Sequence, residues 1–151
     1  MEIQVDNRQE MHPVPQNAIQ EKGKVILNAL ALHDRELSLS FVDDAEMLEI
    51  NSQYRGKDAT TNVLSFAMDD GESTFVSLLL GDVIISCDTA AREAIDRGVS
   101  LDQRYSQLLV HGILHLAGYD HELGEEEEEA MAEKSIELLR LIEPDADLDY
   151  F

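Results

Sequence analysis

Cysteine occurs once, at Cys87, so no disulfide can form within the chain and a cysteine-built metal knuckle is excluded. Histidine and carboxylate are left as metal ligands. Apolar residues make up 44% of the sequence, yet no run of them is long enough to cross a bilayer, and the first residues lack the basic-then-apolar order of a secretory signal. A soluble, cytoplasmic protein is expected. Basic residues are also scarce, with 11 Lys and Arg against 32 Asp and Glu, a formal net charge of -21. Neutralising phosphates takes cations, so the surface as a whole is a poor match for nucleic acid. Much of the acid lies in one run, Glu125 to Glu129, placed for the solvent face of a helix. Neither a repeat nor an interdomain linker interrupts the 151 residues, a length suited to one domain, and only the acidic tail after residue 143 is expected to be loose.

What the sequence does have is a concentration of histidine. Three of its five histidines fall within the stretch His111-Gly-Ile-Leu-His115-Leu-Ala-Gly118-Tyr-Asp-His121. Positions four apart lie on one face of a helix, so the rings of His111 and His115 can converge on one point. Gly118 accepts φ > 0 without a Cβ penalty and is placed to end the helix, turning His121 back toward the other two. Three imidazoles with no evident fourth protein ligand are the donor set of a catalytic zinc site, with one position open to water or substrate.

The flanking sequence reads as a small mixed α/β (α+β) domain, about four strands in one sheet covered by about five helices, with the histidine helix central. Ile3 and Val5 suggest a first strand. A helix is expected from Gln16 to about Leu32, and Leu37, Leu39 and Phe41 alternate as a half-buried strand. Asp43 or Asp44 caps a helix running to about Tyr54. Strands follow at Asn62–Phe66 and at Leu78–Ser86, the latter, interrupted by Gly81-Asp82, read as a further strand or as one entered through a bulge, with a turn or mobile loop over Asp69–Ser73 between them. Asp88 to Arg97 is helical. Ser100 and Gln103 form a capping box ahead of the histidine helix, which is apolar nearly all round from Leu108 to Ala117 and therefore buried. A last helix is expected from Glu125 to Ile142.

The histidine spacing matches H-E-x-x-H-x-x-G-x-x-H, the metzincin protease pattern, in three ligands and the turning glycine. It departs at one position. Where that pattern has its general-base glutamate, this chain has Gly112, which cannot take a proton, so peptide hydrolysis would need a base from elsewhere. A metal can still lower the pKa of bound water to about 7. Gly112 is further expected to leave room for a bulky nucleotide beside the metal.

Four blocks together resemble the YbeY family of bacterial endoribonucleases: HGILHLAGYDH at His111–His121, Asn51-Ser-Gln-Tyr-Arg55-Gly-Lys-Asp58, Thr61-Asn-Val-Leu-Ser-Phe66 and Leu80-Gly-Asp-Val-Ile84. The resemblance implies a single α/β domain that binds one Zn2+ through His111, His115 and His121. It implies a single-strand-directed RNase maturing small-subunit (16S) ribosomal RNA near its 3′ end and serving ribosome quality control. Ribosomal RNA and the small ribosomal subunit are then the partners, with no DNA and no membrane. Arg55 matches the family's functional arginine, and Thr60 stands where relatives often have proline. In phosphodiester cleavage charge gathers on the phosphoryl oxygens, which a metal and a guanidinium such as Arg55 can stabilise together. Any RNA site on so acidic a chain must be a local positive cleft, for which Arg55 and Lys57 are candidates, supplemented by Arg92, Arg97 and Arg104. Asp120 can orient a histidine or stabilise its turn. Two other readings stay open, a non-catalytic ribosome-assembly factor with a structural metal and a metzincin-like peptidase with its base supplied elsewhere.

Overall fold

Alternation at Leu37, Leu39 and Phe41 puts three fully buried side chains on one face of a strand, and that face organises the rest of the chain. The computed structural model describes residues 2–68, 78–120, 122–149 and 151; the turn expected at Asp69–Ser73 and the third histidine, His121, lie outside the described residues. The elements are β1 (Ile3–Asn7), α1 (Gln16–Ala29), β2 (Glu36–Val42), α2 (Asp44–Arg55), β3 (Val63–Ala67), β4 (Leu79–Ser86), α3 (Cys87–Arg97), α4 (Leu101–Leu116) and α5 (Glu125–Ile142). The mixed α/β expectation holds, with four strands and five helices among the described residues. Strand order is β1-β2-β4-β3, parallel except for the antiparallel β3–β4 pair. Of the two readings of the Leu78–Ser86 stretch, the bulge is present. Glu36 pairs with Leu79 but Leu37 pairs with Gly81, so Leu80 is the extra residue.

The two faces of the sheet are covered unequally. Leu37, Leu39, Phe41, Val83 and Ile85 join α1, α4 and α5 in the main core, while Val42, Leu64 and Met47 form a smaller cluster under α2. The histidine helix is buried because it packs against β3 and β4 and is enclosed by α1, α3 and α5. Each fully buried Leu or Ile in this layer contributes about 1.5–3 kcal/mol of transfer free energy. Among the described residues no helix is long and apolar enough to cross a membrane.

The tail beyond residue 143 meets the core through two apolar side chains. Leu148 and Phe151 pack against the main core, and the buried Gln107 side chain donates to the Asp149 carbonyl at 2.7 Å. The physical reason is that an acidic stretch can still dock when it carries two apolar side chains and supplies an acceptor to a buried amide.

Candidate active-site cleft

Local rules fix where α4 begins and ends. Ser100 Oγ accepts from the Gln103 amide at 3.0 Å while Gln103 Oε1 accepts from the Ser100 amide at 2.9 Å, the capping box expected from sequence. At the other end Gly118 has φ +100°; its amide donates to the His115 carbonyl and the Tyr119 amide to the Leu114 carbonyl, closing a Schellman turn. The chain reverses there, and Asp120 and Glu122 come to line the same cleft as His111 and His115.

The two histidines meet as their spacing predicts. His111 is buried and His115 half-buried, with ring centroids 4.5 Å apart, planes at 77°, and Nε2 atoms facing each other at 3.0 Å. They lie in a cleft of about 430 Å³ that Arg55, Lys57, Asn51 and Asn62 also line. A larger concavity of about 990 Å³ lies against α2 on the other face of the sheet, but it holds no histidine. The smaller cleft has the chemistry.

Arg55 reaches it from the last turn of α2, where Gly56 at φ +67° ends the helix. The loop beyond is folded back by Asn51, whose Nδ2 donates to the Ala59 carbonyl at 2.7 Å and whose carbonyl accepts from the Lys57 amide at 3.3 Å. Asn51 opens one of the four sequence blocks, but its tie to the loop was not legible there, because nothing in the sequence marks its amide as buried. Asn62 donates to both Glu93 carboxylate oxygens at 3.2 Å, and Ser65 Oγ donates to the Gly112 carbonyl at 2.9 Å, so each ties a cleft wall to a helix. Asp120 Oδ1 accepts from the Glu122 amide at 2.9 Å, a turn-stabilising contact.

Three expectations about individual residues are corrected. Gly112 does not open space to a nucleotide. A Cβ there would lie 2.6 Å from Val83 Cγ1 and 3.3 Å from Ser65 Oγ, so the glycine is where α4 is pressed onto the sheet. Arg104 is fully buried and bonded to Glu93 at 2.9 Å, out of reach of phosphates. Arg92 pairs with Asp44 at 2.8 Å and is not among the residues that line the cleft. The positive wall of the cleft is Arg55 and Lys57.

Residues 4–143 match the family model described as Endoribonuclease YbeY. The chain belongs to that family. It is 45% identical over 147 residues to the protein named Endoribonuclease YbeY of Geobacter sulfurreducens, covering 95% of this chain and 97% of the relative. It is 48% identical over 120 residues to that of Aquifex aeolicus, covering 80% and 79%. The solution structure of a Thermotoga maritima protein shares the fold at a TM-score of 0.68 and 24% identity, over 95% of this chain and 90% of that one. The YbeY resemblance carried by the four sequence blocks is therefore borne out at the level of family and fold.

Proposed function

We propose that this YbeY-family chain is a metal-dependent endoribonuclease in which His111, His115 and His121 hold one zinc ion and Arg55 steadies the scissile phosphate. The supporting observation is the 3.0 Å approach of two imidazole Nε2 atoms inside the cleft that Arg55 and Lys57 line. Two nitrogens on one tetrahedral zinc, each at about 2.0–2.1 Å, stand roughly 3.3 Å apart, so the donor pair fits the ion with little movement. When bound, the ion supplies Lewis acidity toward the phosphoryl oxygens and acidifies water.

The side chains of the cleft do the rest. Arg55 presents a planar fork of donors that matches a phosphate in two-point contact, and Lys57 adds a point charge two residues on. The cleft wall at Asn62 is braced by Glu93, which ties that edge to α3. The relatives' name, endoribonuclease, favours RNA as the substrate. The motif resemblance favours a single-stranded segment near the 3′ end of small-subunit ribosomal RNA, worked on in the cytoplasm during ribosome maturation and quality control.

Elemental analysis paired with mapping of cut ends on a ribosomal RNA precursor tests this reading. About one zinc per chain is expected, lost together with cleavage in His111→Ala, His115→Ala and His121→Ala. Arg55→Glu should retain the metal and lose at least ~10²-fold in cleavage rate. Undiminished zinc in all three histidine variants would remove the metal centre, and normal turnover by Arg55→Glu would remove the arginine. Metal retained with no cut ends would favour a binding factor.

A further inference from the structure

We propose that Phe151 is a positioning residue for His111, held by a chain of polar contacts along α4; the proposal rests on the metal-centre reading above. The Phe151 ring stacks on the His111 imidazole with centroids 3.6 Å apart and planes 16° from parallel. A face-on stack covers the flat of the imidazole and leaves its edge clear, and Nε2 of His111 still faces that of His115 at 3.0 Å. The terminal torsion of histidine is broad and easily turned. Turning it here would drive the imidazole edge into the phenyl ring, so the stack fixes the aim of the nitrogen.

Phe151 is itself held. Arg104, Gln107 and His111 stand at i, i+3 and i+7 and share one face of α4. Arg104, with 0% exposure, donates through Nε and Nη2 to Glu93 Oε1 at 3.1 and 2.9 Å and through Nη1 to Gln107 Oε1 at 2.9 Å. That orients the Gln107 amide so that its Nε2 donates to the Asp149 carbonyl at 2.7 Å. The Arg104 guanidinium carbon lies 5.5 Å from the Phe151 ring centroid. Glu93 in turn takes two bonds from Asn62 of the cleft wall. A wholly buried arginine beside a nuclease cleft thus finds its use as an anchor, linking the wall at Asn62 to the ring over His111. This is a steric counterpart of the orienting role that hydrogen-bonded partners of metal-bound histidines have.

The test is a zinc titration of metal-free protein against a chromophoric chelator, with thermal midpoints and RNA cleavage measured on the same samples. Phe151→Ala is expected to weaken zinc binding by about tenfold, the lower end of the range for losing a hydrogen-bonded partner of a metal ligand. Phe151→Tyr, which keeps a flat ring, should stay within about threefold of wild type. Phe151→Leu, which keeps apolar volume without a plane, should bind zinc as poorly as Phe151→Ala while remaining folded, so the comparison survives if the alanine variant is too unstable to assay. Wild-type affinity in Phe151→Leu would reduce Phe151 to packing and overturn the proposal. Faster cleavage by Phe151→Ala at unchanged zinc affinity would also overturn it, making the ring an obstruction to substrate. A wild-type protein that takes up no zinc would sink the metal-centre reading itself, and this proposal with it.

Discussion

Asp44 illustrates how much a single carboxylate can hold together. It accepts from Ser86 Oγ and Thr89 Oγ1, each at 2.6 Å, and pairs with Arg92 at 2.8 Å, so the start of α2 is bound to the junction of β4 and α3. Burial pushes its carboxyl up, but the hydrogen bonds from Ser86, Thr89 and Arg92 together with the charge of Arg92 outweigh that and hold it at about 2, against an ordinary 3.8. A carboxylate more acidic folded than unfolded stabilises the fold above its unfolded pKa, and that stability is lost as pH falls through the folded one. The contribution is on the order of 2 kcal/mol at neutral pH and disappears between about pH 4 and pH 2. Asp44→Asn should therefore cost roughly that much in urea unfolding at pH 7 and flatten the acid limb of the stability profile. Parallel profiles for the two proteins would show that the folded-state carboxylate has no such preference.

At the scale of elements, the contact between α4 and β4 decides how the histidines are presented. Gly112 lets the helix approach Val83, where an added Cβ would fall 2.6 Å from Cγ1. Alanine at this position gains up to about 1 kcal/mol in helix propensity but overpacks the interface at about 1–3 kcal/mol, so a net destabilisation is expected. Val83→Ala in the same chain should recover part of the loss, because the two sites share one clash. Additive unfolding free energies in the double variant would show that the glycine is not there for the sheet. The local elements were legible from sequence because their signals are local: period two at Leu37–Phe41, the Ser100–Gln103 box, the glycine stops at Gly56, Gly98 and Gly118. The direction in which Gly112 points was not. A helix apolar nearly all round has no polar stripe to orient it, so spacing showed which residues share a face without showing what each face meets. Phe151 was hidden for a different reason. It lies thirty residues after the histidine stretch in an acidic segment, and only the fold brings its ring onto His111.

For the molecule as a whole, the contrast is between a net charge of -21 and the RNA chemistry proposed for it. Glu125 to Glu129 are exposed at the start of α5, where the helix dipole favours acid. Several basic residues are occupied by carboxylates: Arg8 by Glu46, Lys22 by Glu143, Arg92 by Asp44 and Arg104 by Glu93. Arg55 and Lys57 line the cleft and have no carboxylate partner among the described residues. Binding of a single strand should then neutralise about two phosphates, and each contributes about -0.7 to the slope of log affinity against log salt. A slope near -1.4 means that raising monovalent salt from about 50 to 200 mM weakens binding roughly sevenfold. Screening of the acidic surface acts in the opposite direction, because repulsion between it and the rest of the strand weakens at the same time. The measured loss should therefore be sevenfold or less, far below the ~10³-fold or greater loss of proteins that grip many phosphates. Fluorescence anisotropy of a labelled single-stranded RNA across that salt range would measure it, and a loss of a hundredfold or more would mean that the strand contacts a basic surface other than this cleft.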